Sequence, residues 1–325
     1  MKRCQALLAL LALAFPLPLA AGSDDALSLV PPDAAAVGMI RVADLRTSPL
    51  FDKVFAATDR ISGDADAARF LEEVRLDPKQ DVDVVVFAGS PRSAGRGGNG
   101  FAAFEGRFEA ARLAAATEAR GGVKKSVPGG SYYLLPGHNH GGTSRDGGAV
   151  AFLSDRLIVA GDETAVAAAL GRRAAGGSRF VSGSGLGAAL PRVDSRVSAW
   201  ALVDMARVPA KARTRERAGG DAPQAILGAM ESVSLVALTA TADGDSLKLS
   251  ATGVTADAEM RRDLEDAIRG LLAMWRMSAQ EKQPDLVPVL RAFKVSRDAD
   301  SVSVSGTLPG SAIRDLHSRK ERVSH

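Results

Sequence analysis

Residues 148–173 read GAVAFLSDRLIVAGDETAVAAALGRR, and this stretch decides the fold. Two apolar runs, Ala149–Leu153 and Leu157–Val159, flank Ser154-Asp155-Arg156 in the pattern of a tight β-hairpin. Gly161 and Asp162 close the second strand. Asp162 stands where a helix cap belongs, Glu163 falls in the first turn, and Val166, Ala169 and Leu170 recur at helical spacing. The predicted unit is strand, turn, strand, cap, helix. No residue in it makes a plausible nucleophile, metal ligand or cofactor clamp, so the best-specified stretch is silent about chemistry.

Working outward, the same logic predicts a strand in Ala36–Leu45 (AVGMIRVADL), helices over Ser48–Arg60 and Asp64–Val74, and strands at Val82–Ala88 and Phe101–Phe108. A helix over Glu109–Ala119 is stopped by Gly121-Gly122, and two short strands in Val123–Leu135 break at Pro128-Gly129-Gly130. Ser90–Gly100 and Pro136–Gly148 are glycine-rich and read as loops. Further on, Arg196–Val208 reads as a strand, and Ser232–Ala242 pairs with Ser246–Val254 through Asp243-Gly244-Asp245, the clearest hairpin signal in the chain. Thr255 or Asp257 caps a helix running to about Gln280, with Met260, Leu264, Ala267, Ile268, Leu271 and Trp275 on one apolar stripe, which places Trp275 in the core. A last hairpin joins Ala292–Arg297 to Ser301–Thr307. Strands joined mostly by hairpins predict an α+β fold with mainly antiparallel sheets and helices packed on them. The echo of Val42-Ala43-Asp44 in Val203-Asp204 suggests two related halves, residues 23–178 and 179–316, before a polar tail at 317–325.

The chain has 325 residues, of which 46% are hydrophobic but only 5% aromatic, so it can bury a sizeable core resting on Ala, Val and Leu. Stacking platforms for sugars or bases are scarce. Residues 1–22 carry Lys2 and Arg3, an apolar run Ala6–Phe15 and then Pro16 to Gly22 with small residues, the pattern of a secretory signal peptide. The apolar run falls short of the roughly 20 residues a spanning helix needs, so no permanent transmembrane anchor is expected. Cys4, the sole cysteine, leaves with the leader, and a cysteine-free mature chain excludes disulfides and thiol chemistry. Removal of Lys2 and Arg3 also takes the formal net charge from +3 to +1, which gives no argument for nucleic acid. The expected location is periplasmic or extracellular.

Four constellations bear on chemistry. Gly95-Arg96-Gly97-Gly98-Asn99-Gly100 matches GxGxxG, but the segment after it reads as a strand and not as the helix that a dinucleotide's pyrophosphate needs. His138-Asn139-His140 lacks an identifiable third ligand and sits among glycines, so a solvated loop is expected and no metal or cofactor site. Arg207, Lys211, Arg213, Arg215 and Arg217 form a basic run that is a candidate contact for an anionic surface, although it carries no interleaved aromatics. Asp44 and Asp204, each at the end of a comparable strand, are the carboxylates to test as a catalytic pair, since they meet only if the two halves face each other.

The lead-in Val30-Pro31-Pro32, the AVGMIRVADL strand and the AFLSDRLIVAGDETAVAAAL hairpin and helix resemble those of uncharacterised exported bacterial proteins. The resemblance implies an exported α+β protein and carries no functional residue across. The expected function is a non-enzymatic binding or interaction module of the bacterial envelope, taking an envelope protein or an apolar small ligand in a groove between the halves. The alternatives are a hydrolase whose carboxylates assemble only in the fold and a structural envelope protein held at an anionic surface.

Overall fold

The computed structural model describes residues 26–55, 65–90, 99–136, 138–140, 143–145, 148–177, 180, 185–194, 196–208 and 232–313. The hairpin that decides the fold forms as β8 (Ala149–Ser154) and β9 (Leu157–Gly161), followed by a helix over Glu163–Ala174. Val166, Ala169 and Leu170 are all fully buried, so the helical spacing does set the packed face. Asp162 occupies the cap position without a side-chain cap bond; its Oδ2 instead accepts the Gly100 N–H at 2.9 Å, tying the helix entry to the neighbouring strand.

Around this unit the chain builds β1 (Ala36–Arg41), β2 (Val82–Ser90), β3 (Asn99–Gly106), β4 (Val123–Val127), β5 (Gly130–Leu134), β10 (Ala199–Asp204), β11 (Leu235–Asp243), β12 (Ser246–Val254), β13 (Lys294–Arg297) and β14 (Ser301–Pro309). With β8 and β9 these make one twelve-stranded sheet in the order β13-β14-β12-β11-β10-β1-β2-β3-β9-β8-β5-β4, antiparallel at every pairing. The fold is α+β.

Because side chains alternate between faces along a strand, each face can be read from the registers. The first face carries Val37, Met39, Val86, Ala103, Ala151, Val159 and Leu202. These are buried beneath the Glu163–Ala174 helix and the segment from Ala26 to Ala34. The second face is covered in two separate places. Over β1–β3, β8 and β9, Ile40, Val85, Phe104, Phe152 and Ile158 pack with helices Ala65–Val74 and Ala110–Ala119. Over β14 and β13, Val302 and Val295 pack with Leu264, Ala267 and Ile268 of the long helix Ala258–Lys282.

Several local expectations change. The first strand stops at Arg41, and Val42–Arg46 is a short helix with Val42 and Leu45 buried beneath it. The helix expected over Ser48–Arg60 is one turn, Phe51–Val54, within the described residues. The expected loop after Pro136 contains a small hairpin, β6 (His138–His140) with β7 (Thr143–Arg145). A helix over Leu286–Ala292, with Pro288 in its first turn, was not anticipated; proline is tolerated there because the first N–H groups have no helical partner. Asp257 is the cap of the long helix, accepting from Glu259 and Met260 N–H, whereas Thr255 is buried and its N–H donates to the Asp300 carbonyl. Trp275, expected in the core, is 49% exposed. Leu264, Leu272 and Ala279 are the buried apolar positions of that helix, and Trp275 falls on the same stripe by helical spacing without being buried.

Candidate functional site

Among the described residues the second face of the sheet is left open between the two helix groups, and the registers show what floors the gap. One row across the strands is Phe87, Gly38, Ala201, Leu238, Ala251, Val304. The adjacent row is Ile40, Ala199, Ala240, Leu249, Gly306. Alanine and glycine hold six of these eleven places, so the middle of the sheet is lower than its flanks. The result is a trough with a cavity volume of about 440 Å³, within the roughly 300–1,000 Å³ typical of small-molecule sites. Leu238 is 42% exposed and Phe87 36%, so large apolar side chains face this space.

Among the described residues that line the trough none is ionisable. Thr239 and Ser250 are its hydroxyl-bearing neighbours, and their registers place them on the opposite face, so the trough sees their backbone. That backbone is itself committed, because β1, β10, β11, β12 and β14 each have a hydrogen-bonded strand on both sides. The trough therefore offers contact and exclusion of water, with no acid, base, nucleophile or ligand atom to act on what it holds. Phe293, just before β13, closes one wall; its carbonyl accepts from Arg276 Nη2 at 3.3 Å, while Arg276 Nε donates to the Leu290 carbonyl at 3.1 Å.

Charged clusters elsewhere act as fasteners. Glu163 Oε1 accepts from Lys125 Nζ at 2.7 Å and from the Tyr132 hydroxyl at 2.9 Å, joining the β4–β5 hairpin to the start of the helix behind it. The Lys125 hydrogen bond, with that of Tyr132, holds the Glu163 carboxyl below its ordinary range. Buried Glu265 forms ion pairs with Arg269 at 2.6 Å and Arg297 at 3.3 Å, fixing the long helix to the sheet edge. Buried Glu105 receives the Ala26 N–H at 2.9 Å. Among the described residues no group of three or more His, Cys, Asp or Glu converges on a metal position.

Asp44 and Asp204 are not brought together. The Asp204 N–H bonds the Ala35 carbonyl, at the start of β1, whereas Asp44 lies on the helix beyond the other end of that strand. The six steps from Ala35 to Arg41 alone span roughly 20 Å. Asp204 is occupied as a turn residue, accepting from Ala206 N–H and from Arg207 Nε. Arg207 also donates to the Asp33 carbonyl at 2.8 Å, and Lys211, Arg213, Arg215 and Arg217 lie outside the described residues, as do residues 1–22 and most of the GxGxxG segment. Of that segment, Asn99 and Gly100 open directly into β3.

The trough residues themselves went unpredicted. Their signal was the alternation in β11, β12 and β14, where Ser and Thr occupy one parity (Thr239, Thr241, Ser250, Thr252, Ser303, Ser305, Thr307) and Ala, Leu, Val and Gly the other. Alternation reveals that one face is apolar and cannot reveal that part of it goes uncovered.

No family model matches the chain and no curated protein does. Among solved structures it is similar to TP0453. The crystal form III structure superposes with a TM-score of 0.53 at 10% identity, covering 90% of this chain and 97% of that one. Crystal form IV gives 0.50 at 10% identity, covering 90% and 96%. At that identity the likeness is one of fold.

Proposed function

We propose that this chain is an exported, non-enzymatic binding protein of the cell envelope whose ligand is an apolar chain held in the trough. Export rests on the leader pattern of residues 1–22 and the absence of cysteine after it. Among the described residues no helix is long and apolar enough to cross a membrane. The trough supports the ligand reading: an uncharged, ladder-saturated floor is complementary to an uncharged chain and gives a peptide or sugar no hydrogen-bond partner. Its dimensions favour a thin occupant. Between the strands bearing Gly38 and Gly306 lie four strand spacings, about 19 Å, and the two floor rows are about 7 Å apart. A floor about 7 Å across is narrower than the ~10 Å diameter of a helix.

The test is native mass spectrometry of the protein recovered from its own envelope without detergent, beside titration with a single-chain lysophospholipid. Saturable binding abolished by Ala201→Trp, which fills the floor from an open position, is the expected result. Retained binding in that variant places the ligand elsewhere, and capture of a protein in place of a lipid favours an interaction module.

A further inference from the structure

We propose that Phe87 and Phe293 are the end stops of the trough and set the length of the acyl chain it takes, each by laying its ring over a glycine of the floor. The inference rests on the acyl-chain reading above and goes beyond it to specificity. Gly38 and Phe87 are direct cross-strand partners, and a Cβ built on Gly38 would overlap the outer edge of the Phe87 ring. At the opposite end a Cβ on Gly306 would lie 2.6 Å from Phe293 Cγ and 2.7 Å from Cδ1. In both places the ring rests where any larger residue would have its side chain. Each ring thus reaches inward from a flanking strand and covers the last floor position of its row, and the two glycines are what let it lie flat. Phe87 remains 36% exposed in doing so, as expected of a wall facing a ligand space and not of a packed core ring. Phe293 is held in place through its backbone by Arg276.

The geometry gives a length. With the rings covering Gly38 and Gly306, the three strands between them leave about 14 Å of floor, which at roughly 1.25 Å per methylene, from a ~1.5 Å bond and a ~111° angle, takes roughly 11 carbons. Removing one ring frees one strand spacing, about 4.8 Å or roughly four carbons. Because no charged side chain lines the floor, the headgroup stays in water and the chain alone is measured.

The experiment is a competition series with lysophosphatidylcholines whose chains run from shorter to longer than that optimum, on the parent, Phe87→Ala, Phe293→Ala and the double variant. The expected result is an optimum of roughly 11 carbons in the parent, moved roughly four carbons longer by each single substitution and roughly eight by both. An unchanged optimum in all variants overturns the end-stop inference while leaving the acyl-chain reading standing. Failure of the parent to bind any chain length overturns that reading and the inference with it. Should Phe293→Ala not fold, Phe293→Leu replaces it. A readout independent of ligand accompanies the series: Gly38→Ala should lower the thermal midpoint of the parent and not that of Phe87→Ala, and equal effects in the two backgrounds count against the ring resting on the glycine.

Discussion

Leu202 and Leu238 make a controlled comparison, since they sit on adjacent strands and face opposite sides of one sheet. Leu202 is fully buried in the larger core and packs near Val37, its direct partner on β1. Leu202→Ala therefore removes apolar atoms and leaves an enclosed cavity, at a cost of about 2–5 kcal/mol. Leu238 is 42% exposed over the trough. Fully burying a leucine is worth about 1.5–3 kcal/mol; with nearly half of that surface already wet and no closed cavity left behind, Leu238→Ala should cost about 1 kcal/mol. In urea, with an m-value of about 3 kcal/mol/M, the midpoint falls by about 1 M for Leu202→Ala and by about 0.3 M for Leu238→Ala, with m unchanged. Saturating ligand should widen the parent's advantage over Leu238→Ala, because a ligand at a hundredfold its Kd adds about 2.7 kcal/mol to whatever binds it fully. Equal costs at the two positions would falsify the open face, and the trough with it.

The two tryptophans offer an optical check: Trp200 is 5% exposed and Trp275 49%, so iodide should quench part of the emission, and Trp275→Phe should leave only a protected, blue-shifted component. Asp257 has its carboxyl held below the ordinary range by the Met260 and Glu259 N–H groups. Its contribution to the long helix is therefore present above about pH 3.9 and lost as pH falls through the depressed value, so Asp257→Ala should lower the thermal midpoint at neutral pH and have little effect at pH ~2. The Glu163 tether behaves with the same sign, its carboxyl depressed first by Lys125 and then by Tyr132. Protection of the β4–β5 hairpin amides relative to their intrinsic exchange rates should fall on acidification below the carboxylate range, and Glu163→Gln should reproduce the lower protection at neutral pH.

Much of the fold was legible because local rules and tertiary packing agree in it. The Ser154-Asp155-Arg156 turn, the buried triplet of Val166, Ala169 and Leu170, and the hairpins β11–β12 and β13–β14 all follow from alternation or helical spacing. The failures share a cause, which is that neighbours decide. Trp275 sits close to the apolar stripe by spacing but meets no opposing surface, and Val42–Arg46 turns helical because Val42 and Leu45 find a core beneath them. Asp44 and Asp204 were matched by sequence, and the antiparallel pairing of β1 with β10 sends them to opposite ends. The candidate site was not legible. It is built of Ala, Gly and Leu from five strands and of two Phe beyond them, and it exists only because β1 and β10 are neighbours.

The apolar character of the trough is not what these strands carry by default. On their other face the same strands place Thr239, Thr241, Ser250, Thr252, Ser303 and Ser305, with the Thr252 and Ser303 hydroxyls bonded to each other at 2.8 Å. That is how an antiparallel sheet ordinarily meets water. On the trough side β11 and β12 carry Ala240 and Ala251 instead, and neighbouring β10 carries Ala199 and Ala201. If that strip were merely an unfilled gap, converting it to the chemistry of the opposite face should change nothing but hydration. Ala199→Ser, Ala201→Ser, Ala240→Ser and Ala251→Ser together lie on an open surface, where each substitution is worth within about 0.5 kcal/mol of stability. The fold should survive, with the urea midpoint nearly unmoved. Acyl-chain binding should not, because each hydroxyl must give up water to an occupant that offers no hydrogen bond, at about 1–3 kcal/mol apiece, so that even two such sites lower affinity at least about thirtyfold. A quadruple variant that folds and still binds the chain with parental affinity would mean that the floor is not where the ligand lies.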